Sequence, residues 1–385
     1  MSGGVVMVSA SFHPHVGGAE KQALELSSAL KDRGVAVRVL TRRLSGLPAA
    51  DEVRGVPVER LWRAGGGLVD SMTFMASLFW RLLAGAPYDA IHVHLAGSPA
   101  LAAALAGKLR GKRVFVKLGG GRGIGELAVS SKSAAGRLKL QALALLRPRF
   151  VAVTRELVVE AERYLGKGVS VHFMPNGVDT RRYRPVPPEE KSALRARLGF
   201  PACLLFIYAG RLSSEKRLPD FVETWARATR GAPGAGRAKA HLVVVGDGPD
   251  RERIVESVHR SGAEDRVLLL PSRPDIELAY AAADVFVLPS ISEGLSNALL
   301  EAMASGLAVL ASRVGGAVEA VSDAESGFLF APLDEAELIR QLDKLLAHPD
   351  LAAKLGQAAR KTAVERYSLE KLAADYEKLY RLGLP

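Results

Sequence analysis

Apolar runs and helical patterns alternate along the whole of this chain, and the alternation is completed twice. In the first half, runs rich in Val, Ile and Leu at Val5–Val8, Val35–Leu40, Ala90–Val93, Val114–Val116 and Val151–Val153 predict strands. Helical periodicity separates them at Ala19–Lys31, Ser71–Leu83, Pro99–Leu109 and Arg155–Leu165. The second half repeats the scheme, with strands at Leu204–Tyr208, His241–Val245, Val267–Leu270, Val285–Val287 and Ala308–Ala311. Its helices fall at Pro219–Thr229, Asp250–Ser261, Asp275–Ala282, Asn297–Ser305, Val318–Val321 and Glu335–Leu346. Strand, helix, strand in repetition implies an α/β protein whose parallel sheets are covered on both faces, one sheet per half. Turn-forming residues in Met174-Pro-Asn-Gly-Val-Asp179, and the basic, proline-rich stretch to Pro188, mark the join. The expected division is residues 1–180 and 181–366, with 367–385 as a closing helix. Ligands of open α/β sheets bind outside the carboxyl ends of the strands, so two such sheets facing each other would make a cleft.

A chain of 385 residues with 48% hydrophobic content suffices for two cores. Its single cysteine, Cys203, excludes an intramolecular disulfide and any cysteine-based zinc site, which suits a reducing cytoplasm. Val5-Val-Met-Val-Ser9 reads as a first strand, without the basic lead and cleavage pattern of a signal peptide. The stretch Leu68 to Ala84 is apolar but carries Asp70 and Arg81 and falls short of the roughly 20 residues of a bilayer span. Net charge is +11, and its distribution is lopsided. Residues 1–185 hold 27 Lys and Arg against 13 Asp and Glu, leaving 25 against 28 in the remainder. A basic first half points to an acidic partner such as anionic lipid or a phosphate-bearing acceptor. Nucleic acid is disfavoured, since no basic motif with interleaved aromatics occurs.

The most informative segment is Ser292-Glu-Gly-Leu-Ser-Asn-Ala-Leu-Leu-Glu-Ala-Met-Ala-Ser-Gly306. Ser296 and Asn297 suit a helix start, and unpaired N–H groups at a helix start can hold a phosphate. Glu301 sits among Ala298, Leu299, Leu300, Ala302, Met303 and Ala304, a nearly all-apolar helix, so it is expected to be buried and to need a partner. A pair of vicinal hydroxyls, as on a ribose edge, would serve. Glu293, in the loop before, would face whatever the phosphates carry. Arg211 and Lys216 follow the strand Leu204–Tyr208 and suit a diphosphate, the one as a planar fork and the other as a point charge. Both also read as solvated loop residues. Gly17 and Gly18, in Pro14-His-Val-Gly-Gly-Ala-Glu20, open a helix after the first strand without matching a dinucleotide or Walker fingerprint. Gly246-Asp-Gly248 ends a strand, where a tight turn and a ligand contact explain it equally. His13, His15, His92 and His94 lie near predicted strand ends, and the last two share one face of a strand. No third ligand at metal-binding spacing accompanies them, so no metal is expected. Lys117-Leu-Gly-Gly-Gly-Arg-Gly123 reads equally as an anion-touching loop or a flexible connection.

Taken in order, these segments resemble the retaining GT-B glycosyltransferases of family 4 over essentially the whole chain. The resemblance rests on Pro14–Glu20, Tyr88–His94, Pro175–Asp179, Gly210–Lys216, Gly246–Gly248, the Glu293/Glu301 pair, and Gly315-Gly316 with Glu319. It implies two Rossmann-like domains facing across a cleft, with nucleotide-sugar binding in the second. It also implies transfer of a sugar from a nucleoside-diphosphate donor with retained configuration and without a required metal or other cofactor. By position, Arg211 and Lys216 would hold the diphosphate, Glu301 the ribose and Glu293 the donor sugar. Gly294, Leu295, Ser296 and Asn297 would make backbone contacts to sugar and phosphate. Gly17 and Gly18 would approach the diphosphate from the first domain, and Ser272 and Arg273 fall where the base is held. The closing helix, from about Tyr367, would cross back to the first domain. Two positions depart from the pattern. Lys117 and Leu118 stand where relatives carry a sugar-contacting histidine, and Arg217 stands where a glycine usually follows the lysine.

The implied mechanism is dissociative, with the acceptor hydroxyl attacking from the face the phosphate leaves. Glu293 as nucleophile in a double displacement is the other route. An epimerase or hydrolase of the same build, and a non-catalytic binder of anionic membrane, are the competing readings. For the second, Met72-Thr-Phe-Met-Ala-Ser-Leu-Phe-Trp80 is weighed against a core-packed helix, and its apolar-rich pattern favours the core. The acceptor is expected to be an acidic or lipid-linked glycan in a surface-polysaccharide or glycolipid pathway, at the cytoplasmic side of a membrane.

Overall fold

A computed structural model of the chain describes residues 3–14, 17–121, 123–230 and 239–382. His15 and Arg122, both in sequence motifs of interest, lie outside the described residues. The fold comprises two compact α/β units, Met1–Gly177 with Leu369–Pro385, and Val178–Ser368.

The first unit is built on β1 (Val5–Ser9), β2 (Val37–Arg42), β3 (Ala50–Val53), β4 (Val56–Leu61), β5 (Ala90–His94), β6 (Arg113–Leu118), β7 (Arg149–Ala152) and β8 (Val171–Phe173). They lie in the order β3-β4-β2-β1-β5-β6-β7-β8, parallel throughout except for the β3–β4 pair. One face of this sheet presents Val5, Met7, Val37, Val39, Phe115 and Val151. They are covered by Leu26 and Leu30 of the helix Gly18–Asp32 and by Leu372, Tyr376, Leu379 and Tyr380 of the final helix Leu369–Leu382. Each fully buried side chain of this size contributes roughly 1.5–3 kcal/mol, so the final helix is integral to the unit. Its neighbour Gly177 is tied to the first helix by both ends of the Gln22 amide, at 2.8 and 3.1 Å.

The β3–β4 hairpin was not visible as hydrophobic alternation, because β3 is exposed and charged and lies at the sheet edge. The signal was in its turn. Arg54 and Gly55 both adopt positive φ (50° and 77°), the geometry of a two-residue hairpin loop, and Pro57 is tolerated because it sits at the start of β4, one residue before the register with β2 begins at Val58.

The second unit carries β9 (Leu204–Ala209), β10 (Ala240–Val245), β11 (Val267–Leu270), β12 (Val285–Leu288), β13 (Ala308–Ser312) and β14 (Gly327–Phe330). All pairs are parallel, in the order β11-β10-β9-β12-β13-β14. The order reverses between β9 and β12, so the loops leaving these two strands part to opposite sides and open a crevice at their carboxyl ends. The stretch running to Pro188, read as a hinge, ends where the helix Pro188–Leu198 begins, with proline at its first position. The chain leaves and re-enters the first unit beside itself, where the Val178 N–H donates to the Tyr367 carbonyl at 2.8 Å.

Candidate functional site

The β9/β12 crevice gathers the residues that the sequence singled out in the second half. β9 ends at Gly210, and Gly246 after β10 lies so close that a Cβ there would stand 1.9 Å from the Gly210 carbonyl oxygen. Gly248 is equally constrained by the Leu212 carbonyl, at 2.2 Å. The Gly246-Asp-Gly248 signal is therefore accounted for by backbone packing against the exit of β9. Beyond that exit, the loop turns through the short 3₁₀ segment Ser214–Lys216. It is fastened to the β12 loop by the Ile291 N–H, which donates to the Glu215 carbonyl at 2.9 Å.

Across this junction Lys216 Nζ meets Glu293 Oε1 at 2.5 Å, and the Ser290 hydroxyl donates to the same oxygen at 2.9 Å. The pair is largely enclosed, with side-chain exposures of 17% and 12%. Arg211 is exposed at the mouth of the loop. Burial would push the Glu215 carboxyl up. The Ser213 hydroxyl, its own backbone N–H and the Lys216 and Arg211 charges outweigh this and hold it below the usual range. Beneath them the Tyr208 hydroxyl donates to the Arg211 carbonyl at 2.9 Å. Its ionisation is pushed up by burial and then by the Glu293 and Glu215 charges. Arg217 adopts φ +54°. The left-handed region favours glycine, the residue that the family resemblance leads one to expect there, and here an arginine bears the strain.

The loop carrying Glu293 is shaped by Gly315 and Gly316. A Cβ on Gly315, at φ +48°, would fall 2.0 Å from the Glu293 carbonyl oxygen, and one on Gly316 would fall 2.6 Å from the Leu295 side chain. The Gly316 N–H donates to the Gly294 carbonyl at 2.8 Å. Ser296 then caps the helix Asn297–Ala304 by accepting from the Leu299 N–H at 3.3 Å. Glu301 is 6% exposed and lies beside Tyr280. Burial first, and the Glu301 charge second, push that phenol well above its ordinary range. The buried helix and its enclosed carboxylate are as the residue pattern implied.

Ser272 and Arg273 follow β11. The Ser272 N–H donates to Asp247 at 2.8 Å, and the Arg273 guanidinium grips Asp275 through two bonds of 2.8 Å. That grip lowers the Asp275 carboxyl to about 2.

In the first unit, Gly17 occupies the cap position of the helix Gly18–Asp32, and the Glu20 carboxylate folds back over it. A Cβ on Gly17 would stand 2.3 Å from that carboxylate, which also accepts from the Ser11 hydroxyl at 2.7 Å. Gly17 thus makes room for Glu20. His13 is exposed, and its carbonyl accepts from Arg60 at 3.1 Å. His92 and His94 share a face, their rings stacked with centroids 4.5 Å apart, and His92 Nδ1 meets the Tyr380 hydroxyl. Burial drives both imidazoles far below their ordinary range, aided by Lys117 and, for His94, by His92. Lys117 itself is buried, and burial lowers its ammonium to about 7. Sequence reading placed Lys117 at the start of a glycine-rich loop and at the position of an expected histidine, and did not expect it to be buried. Its spacing of two from Phe115 on one strand was the signal that it faces the core. The glycine loop after it is anchored by Glu126, which accepts from the Gly120 N–H at 3.4 Å. Among the described residues no cluster of three or more His, Cys, Asp or Glu side chains could hold a metal ion.

Comparison with known proteins matches both halves. The family described as Glycosyltransferase Family 4 matches residues 16–182, and that described as Glycosyl transferases group 1 matches residues 191–362. The 2-deoxystreptamine N-acetyl-D-glucosaminyltransferase of Streptomyces fradiae is 31% identical over 92% of this chain and 91% of its own length. The N-acetyl-alpha-D-glucosaminyl L-malate synthase of Bacillus anthracis is 28% identical over 60% of the chain, which spans 58% of that enzyme. A D-inositol 3-phosphate glycosyltransferase of Streptomyces bingchenggensis is 34% identical, with 52% of its length matched. Among solved structures, Anabaena HepE in complex with UDP superposes with a TM-score of 0.78 at 21% identity, over 98% of this chain and 100% of that one. Sucrose-phosphate synthase from Thermosynechococcus elongatus does so with 0.78 at 23% identity, over 98% of each chain.

Proposed function

The chain belongs to the GT-B glycosyltransferases of family 4, and on that premise we propose that it moves a sugar from a nucleoside-diphosphate donor to a hydroxyl acceptor, with retention and without a metal. The observation that carries this reading is the enclosed Lys216–Glu293 pair at the β9/β12 crevice, next to the capped start of the helix Asn297–Ala304. Lys216, with Arg211 beside it, supplies the charge that a departing diphosphate needs. The helix start, with Gly294, Leu295, Ser296 and Asn297, offers dipole and backbone to the same group. Glu301, desolvated beside Tyr280, suits two ribose hydroxyls as donors. Glu293 lies one hydrogen bond from Lys216, and so beside the sugar such a phosphate would carry. Ser272 and the backbone of Arg273 serve the base, the Arg273 guanidinium being held by Asp275.

In the reaction so framed, the bond from the anomeric carbon to the phosphate oxygen breaks and its electron pair leaves with the diphosphate. The cationic sugar centre is stabilised by Glu293. The acceptor oxygen attacks from the face just vacated, and its proton passes to the departing phosphate oxygen. The test is NMR of the product anomer, with EDTA present throughout. A product with the donor's configuration supports the proposal. An inverted product, or activity abolished by EDTA and restored by divalent metal, sinks it. Relatives differ in the acceptor that they name, an aminocyclitol, a hydroxydicarboxylic acid or an inositol phosphate.

A second observation supports contact with an anionic membrane. The helix Gly67–Ala84 buries Asp70, Phe74, Leu78 and Leu82, so the core-packed reading holds for that face. Its other face exposes Leu68, Val69, Met72 and Trp80. Beside it lies a groove of about 780 Å³ lined by Arg43, Leu47, Trp62 and Arg63, among others. Among the described residues no helix is long and apolar enough to cross a membrane. An apolar helix face flanked by arginines suits shallow insertion among anionic headgroups. Flotation with phosphatidylglycerol vesicles should be lost in the double variant Met72→Glu and Trp80→Glu. Binding unaffected by these changes, or absent in the wild type, would remove this contact.

A further inference from the structure

The strand register of the first unit assembles a polar row to which the proposed chemistry gives no role, although His94 lies in a motif of the family resemblance and Lys117 stands where that resemblance leads one to expect a histidine. Thr41 pairs with Ser9, Ser9 with His94, and His94 with Lys117, so four neighbouring parallel strands each contribute one polar residue at the carboxyl end. The row two residues back is Val39, Met7, His92 and Phe115. Three of these belong to the core under the helices Gly18–Asp32 and Leu369–Leu382, so the polar row points to the same face, one step beyond that core. Strand order reverses at β1/β5, which places the row at the switch point where open α/β sheets take their ligands.

Each member is nearly enclosed, with exposures of 1% for Thr41, 2% for Ser9, 3% for His94 and 4% for Lys117. The Thr41 hydroxyl and both ring nitrogens of His94 have no hydrogen-bond partner among the described residues. Lys117 forms no ion pair there either. Burial alone accounts for the lowered Lys117 ammonium, with no carboxylate charge acting on it. An enclosed ammonium, an imidazole and two hydroxyls can all donate, and leaving them unmet is costly. A cationic ligand would be repelled by Lys117. A neutral one would leave the ammonium without its counter-charge.

We propose that the Thr41–Ser9–His94–Lys117 row binds a carboxylate or phosphate group carried by the acceptor. The assignment to the acceptor rests on the glycosyltransferase reading, whereas the oxyanion site rests on the row alone.

The test uses full-length protein with ¹⁵N-labelled histidine, titrated separately with inorganic phosphate, succinate and UDP. His94 ring resonances should shift with phosphate or succinate, and Lys117→Met should weaken that binding by about tenfold or more. Thr41→Val, a smaller change, gives a second reading, with a weaker but measurable loss. Melting curves confirm that each variant folds. A response that persists in Lys216→Ala, where UDP binding is lost, shows that the row acts apart from the donor site. Unmoved His94 signals, or Lys117→Met binding phosphate as the wild type does, overturn the site. UDP displacing phosphate from His94 would assign the row to the donor diphosphate and overturn the acceptor assignment.

Discussion

Because Lys216 and Glu293 neutralise each other, replacing them should have opposite effects on nucleotide binding. Lys216→Ala removes the cation that a diphosphate needs and leaves Glu293, among the described residues, with the Ser290 hydroxyl as its side-chain donor. A charge-assisted hydrogen bond is worth about 1.5–3 kcal/mol, so nucleoside-diphosphate affinity should fall roughly 10- to 150-fold. Stability should fall too. Exposed pairs contribute about 0.2–1 kcal/mol and the breaking of fully buried ones costs about 3–5, so a pair with 17% and 12% exposure should cost roughly 1–3. Glu293→Gln keeps an acceptor for Ser290 but removes the charge competing for Lys216. It should bind nucleoside diphosphate as well as the wild type or up to about tenfold more tightly, while losing turnover. Calorimetry of UDP, GDP and ADP with both variants, alongside urea denaturation, measures all three quantities. If Glu293→Gln weakened nucleotide binding as much as Lys216→Ala, Lys216 would not be the phosphate-holding member and the argument would fail.

Other consequences are independent of the donor. Gly315→Ala places a methyl 2.0 Å from the Glu293 carbonyl oxygen at positive φ. It should lower stability by about 1–3 kcal/mol, read as a reduced urea midpoint, and displace Glu293 enough to depress turnover. Arg217→Gly relieves a left-handed residue and loses only an exposed pair with Asp220. A gain of up to about 1 kcal/mol is expected, and a loss would show that Arg217 does more than occupy the turn. Lys117 titrates near 7 in the folded chain and near 10.5 unfolded. Between those values the unfolded state holds the extra proton, so the penalty is full below pH 7 and fades as pH rises to 10.5. Lys117→Met should therefore raise the urea midpoint at pH 6.5 and raise it much less at pH 10. An equal gain at both would contradict the burial of that charge.

The architecture was legible wherever a strand is buried on both faces, because such strands read as continuous apolar runs. Leu204–Ala209 and Ala308–Ser312 are examples. β3 was not, being a charged edge strand whose only mark is the Arg54-Gly55 turn. The helix Asn297–Ala304 and its cap followed from Ser296 and the surrounding apolar residues. The Lys216–Glu293 contact did not, since 77 residues separate the partners and only the adjacency of β9 and β12 brings them together. The Gly246 and Gly248 signal was visible but ambiguous, because steric need against Gly210 and Leu212 leaves the same trace as a ligand contact. The polar row escaped for a different reason. Its members lie on four strands scattered from Ser9 to Lys117, and register alone puts them side by side.

The most direct measurement is a calorimetric panel of UDP-, GDP- and ADP-sugars in EDTA, with wild type, Lys216→Ala and Glu301→Ala. Micromolar binding of one donor, lost in both variants, is the predicted result and names the base. Failure of every donor to bind, or binding that survives both substitutions, would contradict a nucleotide-sugar site at the β9/β12 crevice.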